Sequence, residues 1–354
     1  MALLRRGLPQ LLGIDISATS IKLLEMSRAG GRYRVESYAV EPLPPNAVSE
    51  KTITDVQLVG EAIGRAVKRS GTRTKLAACA VPGSAVITKI ISMPSDLGEL
   101  ELEEQIRVEA DQYIPYSMDE ISLDFSIVGP TQGDSTRIDV LLAASRSENV
   151  DSRVGALEIG GIKAKVVDVE AFALENTMHL ISTQAGPIAN AHIVAVMDVG
   201  ATTSTLSVLE DSKIIYTREQ LFGGRQLTEE IQRRYGISYE EAGMAKRQGG
   251  LPDNYEPEIL RPFMESMAHE VNRALQFFYS SNQIGTVDHV ILAGGCACIA
   301  GIDALVQGKI DTPTSIANPF RLMTTAPRVR EQALTTDAPA LMIACGLALR
   351  SFEA

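Results

Sequence analysis

Long apolar runs, a surplus of basic residues and CxxC cysteine pairs are all missing from this 354-residue chain, and each absence excludes something. No stretch approaches the ~18 to 20 consecutive apolar residues that cross a bilayer as a helix. Arg5 and Arg6 precede an apolar segment, but Gly13 and Asp15 interrupt it, leaving it too short and polar for a secretory signal. The expectation is a chain that stays in the cytoplasm. Lysine and arginine number 33 against 44 aspartates and glutamates, and a net charge of −11 lacks the basic footprint of nucleic-acid binding. Cys79, Cys296, Cys298 and Cys345 form no CxxC pair, and with four scattered histidines they give no zinc-ligand spacing. Buried thiols in a reducing compartment are the expected state. The dinucleotide fingerprint GxGxxG and the P-loop GxxxxGK[ST] are also absent.

What is present is a globular composition, 45% apolar and 22% charged, long enough for two lobes at roughly 150 residues each. The segment LLGIDISATSIKLLEM (11–26) reads as strand, tight turn, strand, with Asp15, Ser17, Thr19 and Ser20 crowded into the middle. Residues 33–40 read as a further strand, followed by the proline-rich EPLPPNAV. Apolar residues at helical spacing predict a helix over 55–69. From 84 to about 165 the texture changes to a β-α-β-β-α block, with an acidic helix over 99–110, the segment DQYIPY and a helix over 147–159. That block reads as an inserted subdomain.

The chain then repeats itself. HIVAVMDVGATTSTLSVLE (192–210) matches the opening hairpin, with Asp198 on Asp15, Gly200 on Ser17, Ala201 on Ala18, Thr202 on Thr19 and Thr203 on Ser20. A separation of roughly 180 residues is far beyond a solenoid period of about 20 to 50, so it indicates a duplicated domain. In each hairpin an aspartate at a strand end precedes small residues whose N–H groups can form an anion nest, with Ser and Thr hydroxyls as added donors. The aspartate would repel phosphate, so its fitting role is to hold Mg²⁺ through waters. One such turn alone is most simply a polar turn; two at matching positions favour a polyphosphate gripped from both sides. VDHVILAGGCACIAGI (287–302) adds a strand running into Gly294, Gly295 and Ala297, where backbone can approach a flat nucleobase; by itself, strand-Gly-Gly-helix is equally ordinary packing. Gly223 and Gly224 open a helix whose N-terminus favours anions. Glu270 and Arg273, three apart on a helix over 262–281, either flank a nucleoside or form a solvated pair.

Two phosphate hairpins, a Gly-Gly turn and two small-residue connecting segments (168–176 and 339–349), in this order, resemble the actin, Hsp70 and sugar kinase ATPase superfamily. More closely, GIDISATSIKLLEMSRAGGRYRVESYAVEPLPPNAV, VEADQYIPY and KVVDVEAFALEN resemble the PilM family of type IV pilus assembly proteins. The resemblance implies an α/β, actin-like (ribonuclease H-like) duplicated two-lobe fold with an FtsA-like insert. The divisions would be a first lobe over 1–84, the insert over 85–165, a return through the first connection over 166–190, a second lobe over 191–336, and a connecting helix over 337–354. It implies ATP and Mg²⁺ in the cleft. Asp15 and Asp198 would stand on the metal side, Ser17, Ala18, Thr19, Ser20, Lys22, Gly200, Ala201, Thr202 and Thr203 on the phosphates, and Gly223, Gly224, Glu270, Arg273, Gly294, Gly295 and Ala297 on the nucleoside. Lys22 equally suits a surface charge. Glu170 matches the place of an acid near the metal or attacking water, a candidate general base or a structural pair. Ser17 replaces the glycine usual in that turn, which restricts the backbone and argues against fast hydrolysis.

The implied partner is the cytoplasmic N-terminal tail of the single-pass membrane protein PilN, and through it PilO and PilP, with self-association left open. Tyr113, Pro115 and Tyr116 are the candidate anchors, or else pack the insert's own core. The implied role is at the inner membrane, in pilus biogenesis and twitching motility. A small-molecule kinase is the alternative, but no carboxylate is evidently poised for an acceptor hydroxyl. An Hsp70-like chaperone would need a long C-terminal substrate domain, which is not expected here.

Overall fold

A computed structural model describes residues 10–184, 186, 188–281 and 285–353. In chain order the first lobe opens with β1 (Leu12–Ile16), β2 (Ser20–Ala29), β3 (Arg32–Pro42), β4 (Val48–Ser49), β5 (Thr52–Ile53), α1 (Val56–Ser70) and β6 (Leu76–Val81). Next come β7 (Val86–Pro94), α2 (Glu99–Ala110), β8 (Ile121–Thr131), β9 (Asp134–Arg146), α3 (Ser147–Ile159), β10 (Lys163–Val169) and α4 (Glu170–Ser182). The second lobe holds β11 (Ile193–Val199), β12 (Ser204–Glu210), β13 (Lys213–Gln220), α5 (Gly224–Tyr235), α6 (Tyr239–Gln248), α7 (Arg261–Ser281), β14 (His289–Ala293), α8 (Ile302–Ile310) and β15 (Thr314–Ile316). The chain ends through β16 (Thr324–Thr325), α9 (Glu331–Asp337) and α10 (Met342–Leu349).

The duplication is carried by sheet topology. The first sheet runs β10-β6-β1-β2-β3-β16 and the second β13-β12-β11-β14-β15. In each, an antiparallel meander of three strands is extended on its first strand by two parallel ones. Both are covered on two faces, which is why β1 and β11 are nearly continuous apolar runs rather than alternating ones. On one face of the first sheet Leu12, Ile14, Ile21 and Leu23 pack with Val59 and Ile63 of α1 and with Ala156 and Leu157 of α3. On the other, Leu24 and Met26 pack with Ala344, Cys345 and Ala348 of α10. Asp55 caps α1 by accepting from Leu58 N at 2.9 Å, and Gly71 closes it in the left-handed conformation. In the second lobe Met197, Val199, Leu206 and Val208 face Leu227 of α5 and Val271 of α7. Val194, Val196 and Leu209 face Leu174 and Met178 of α4.

Helices α4 and α10 therefore cross between the lobes, and small residues let them. A Cβ on Gly346 would lie 1.8 Å from Ala173 O, and one on Gly13 would lie 2.1 Å from Ala344 O. Thr177 Oγ1 donates to Met342 O at 2.7 Å across the same crossing. The stretch Glu331–Phe352, of 22 residues, is long and apolar enough to cross a membrane by length and composition, yet most of it is buried at this crossing.

Two expected boundaries move. The insert is a three-stranded antiparallel sheet, β7-β9-β8, with α2 packed on it through Leu102 and Ile106. It ends at Arg146 rather than 165, because α3 buries its apolar face against α1 and β10 pairs with β6. The return to the first lobe begins near 320 rather than 337: Phe320 joins the cluster of Leu24 and Met26, and Thr324 pairs with Arg34 on β3.

Candidate functional site

The site begins at the β1–β2 turn. Asp15 and Lys22 are direct cross-strand partners, and Lys22 Nζ donates to Asp15 Oδ2 at 2.7 Å. Lys22 is largely enclosed, which corrects the reading of it as a surface charge. Burial alone would lower its pKa, but Asp15, Asp198 and Glu170 outweigh that and raise it. Those three acids belong to the first lobe, the second lobe and the connection between them, so Lys22 feels the charge of all three. The turn itself is closed by Ser17 N donating to Ser20 O at 3.1 Å, reinforced by Ser17 Oγ to the same oxygen at 2.9 Å. Ala18 and Thr19 are left at its apex.

The second turn is the same object with glycine in place of serine. Gly200 N donates to Thr203 O at 3.0 Å, and Asp198 stands in register with Thr205, as Asp15 does with Lys22. Two glycine elements converge on it. Gly224 N donates to Gly200 O at 3.0 Å and Arg225 N to Ala201 O at 2.8 Å, so the start of α5 is stitched to the turn. A Cβ on Gly223 would lie 2.5 Å from Ala201 O. From the other side Gly294, at φ 83°, lies so close that a Cβ would meet Asp198 Oδ1 and Val199 O at 2.4 Å. Gly295 and Ala297 follow in a short 3₁₀ turn, and Gly294 N donates to Pro339 O at 2.8 Å, tying the turn to the returning chain. Asp198, Gly200, Ala201, Gly223, Gly224 and Gly294 thus surround one point. Asp198 is pushed upward by burial, against the pull of Lys22 and Lys51.

Glu170 opens α4 on the floor of the cleft. Burial raises its pKa, and Lys51, whose Nζ lies 3.2 Å from Glu170 Oε2, opposes the rise. The structural pairing left open by the sequence is therefore present. Lys51 was not singled out in the sequence, nor was Arg153, which is 2% exposed and sends its guanidinium to three backbone carbonyls: Ala80, Asn149 and Lys51. Both lie in segments without a motif, and only long-range contacts reveal them.

The remaining candidates are placed as follows. Glu270 and Arg273 pair with each other along α7, and Gln220 Nε2 donates to Glu270 O at 3.4 Å. Tyr113 is exposed, with Lys89 Nζ 5.2 Å from its ring centroid, and Pro115 is exposed beside it. Tyr116 is half-buried against the insert's core beneath the Arg146 guanidinium.

Four carboxylates, Asp15, Asp198, Glu170 and Glu219, face two ammonium groups, Lys22 and Lys51, across this cleft. The surplus negative charge suits a cation. Among the described residues no three His, Cys, Asp or Glu side chains converge as a cage. A Mg²⁺ held mainly by water and by the oxygens of a bound polyphosphate would need no such cage, and Asp15 and Asp198 are the carboxylates that would stand beside it.

Comparison with known proteins agrees with this architecture. The matched chain of a PilM-PilN type IV pilus biogenesis complex is 27% identical, with 98% of this chain and 99% of that chain covered and a TM-score of 0.78. Ethanolamine utilization protein EutJ from Carboxydothermus hydrogenoformans is 17% identical over 96% of this chain and 90% of that one, with a TM-score of 0.55, a likeness of fold. The fold is that of the actin-like ATPases, α/β with mixed sheets. The family model for type IV pilus assembly protein PilM matches residues 13–352, and the chain belongs to that family.

Proposed function

We propose that this protein is an ATP-binding, actin-like adaptor of the type IV pilus assembly machinery that binds the cytoplasmic N-terminal tail of PilN. The observation that carries the reading is end-to-end likeness to the chain solved in a PilM-PilN complex, together with two matching phosphate-type turns, one in each lobe. PilO and PilP would be reached through PilN. The protein would lie in the cytoplasm, peripheral to the inner membrane through its partner, and serve pilus biogenesis and twitching motility.

In this reading Ser17 to Ser20 and Gly200 to Thr203 cradle the phosphates, and Lys22 adds positive charge beside them. Mg²⁺, when bound, neutralises phosphate charge next to Asp15 and Asp198. Gly223, Gly224, Gly294, Gly295 and Ala297 let backbone close on the nucleoside, with Glu270 and Arg273 at its edge. Glu170 would hold the attacking water, but its pairing with Lys51 suits slow turnover at most, so ATP acts as a conformational ligand. Such a ligand shifts the lobes only by its differential affinity for their arrangements. The tail would bind between the insert and the first lobe, with Tyr113, Pro115 and Tyr116 as apolar contacts. Calorimetric titration with a synthetic PilN tail peptide tests the adaptor role: saturable binding is expected, and none with or without MgATP would contradict it.

A further inference from the structure

One turn that the phosphate and nucleoside assignments leave unused carries a lysine across the cleft. β4 and β5 are joined by Glu50 and Lys51 alone, with φ of 46° and 65°. A two-residue turn with both central residues left-handed is ordinarily built from Asn-Gly or Gly-Gly, because a Cβ is disfavoured there. Such strain persists only where surroundings over-determine it. Here the surroundings include Arg153, buried behind the turn, with Nη2 donating to Lys51 O at 3.0 Å and Nε to Ala80 O at 2.7 Å. The turn is braced from the first-lobe core, and its lysine reaches forward.

Lys51 Nζ donates to Glu170 Oε2 at 3.2 Å and pairs with Glu219. Glu170 follows directly on β10 of the first lobe, whereas Glu219 belongs to β13 of the second, so this ammonium spans the two lobes. Register places Glu219 opposite Thr205 and Thr205 opposite Asp198, so the three side chains share one row on one face of the second sheet. Thr205 Oγ1 lies 3.5 Å from Glu219 Oε1. The row starts at the carboxylate that precedes the second phosphate-type turn.

We propose that Lys51 is a terminal-phosphate-binding residue that doubles as an interlobe pin: without nucleotide it ties Glu170 to Glu219, and a nucleoside triphosphate draws it onto the terminal phosphate and frees Glu219. This inference rests on the nucleotide-binding reading above. The exchange replaces one charge-assisted pair by another, and phosphate oxygens are strong acceptors for an ammonium group. A diphosphate lacks the terminal group that competes for Lys51, so the residue discriminates between the two. The neighbouring lysine, Lys22, is held by Asp15 within the first lobe and does not span the lobes in this way.

The test titrates the full chain and its Lys51→Met, Lys51→Arg and Glu219→Gln variants with MgATP and MgADP, and follows hydrogen–deuterium exchange of each without nucleotide. Lys51→Met should lose about tenfold of the preference for ATP over ADP while ADP affinity stays within about twofold, and Lys51→Arg should retain most of it. Without nucleotide, Lys51→Met and Glu219→Gln should both exchange faster over Lys213–Gln220. An unchanged ATP-to-ADP ratio in Lys51→Met would overturn the phosphate role. Unchanged exchange in both variants would overturn the pin. Wild-type protein binding neither nucleotide would overturn the reading beneath both, an outcome distinct from a change confined to the variants.

Discussion

Asp15 and Asp198 hold equivalent register positions in the two hairpins, yet the residues across from them differ: Lys22 in the first lobe, Thr205 in the second. The duplicated turns have diverged so that one side of the cleft supplies a charge and the other a hydroxyl. Either Asp15→Ala or Asp198→Ala should weaken MgATP binding at least about tenfold, or on the order of 1.4 kcal/mol, measured by calorimetry. Unchanged dissociation constants for both would remove the metal assignment. The aspartates were legible because their turns are local and repeated. Lys51 and Arg153 were not, because their partners lie far along the chain: Lys51 reaches across 119 and 168 residues, and Arg153 reaches Lys51 across 102. Arg153→Met should take the guanidinium from Ala80 O and Lys51 O, while Asn149 O keeps the Ser152 hydroxyl, and cost on the order of 3 kcal/mol in urea denaturation. A loss below about 1 kcal/mol would mean that water replaces the guanidinium there.

At the scale of elements, the crossing of α10 over β1 and α4 depends on the two positions where nothing larger than glycine fits. Gly13→Ala and Gly346→Ala each place a methyl within 2.1 Å of backbone oxygen, so the helices must separate. Each should lower stability by about 1 to 3 kcal/mol or more, read as a fall in the urea midpoint. Gly243→Ala, on α6 with open space around it, serves as the contrasting substitution and should be neutral or slightly stabilising. Regular elements followed their patterns closely: the acidic helix expected over 99–110 forms over those residues. The hairpin of β4 and β5 did not announce itself, since two-residue strands beside a proline-rich run carry no periodicity. The insert's end was misplaced for a related reason. The apolar spacing of α3 predicts a helix but not which core it joins, and its partner α1 lies upstream of the whole insert.

For the whole molecule, two sheets that share one five-strand order, the first extended by β16, are joined by acid–lysine pairs and by two crossing helices. The duplication was legible as a repeated hairpin, and the fold follows from it. The proposed partner-binding surface was less so: of its candidate anchors Tyr113 lies exposed while Tyr116 leans into the insert's own core. The nucleotide and the partner site are coupled only if the lobes move together, which makes the coupling itself the central claim. Calorimetric titration of the full chain with the PilN tail peptide, with and without saturating MgATP, tests it most directly. The account predicts saturable binding in both states, with an affinity that changes when MgATP is present. A peptide affinity left unchanged by MgATP, or no peptide binding in either state with MgATP binding intact, would contradict it.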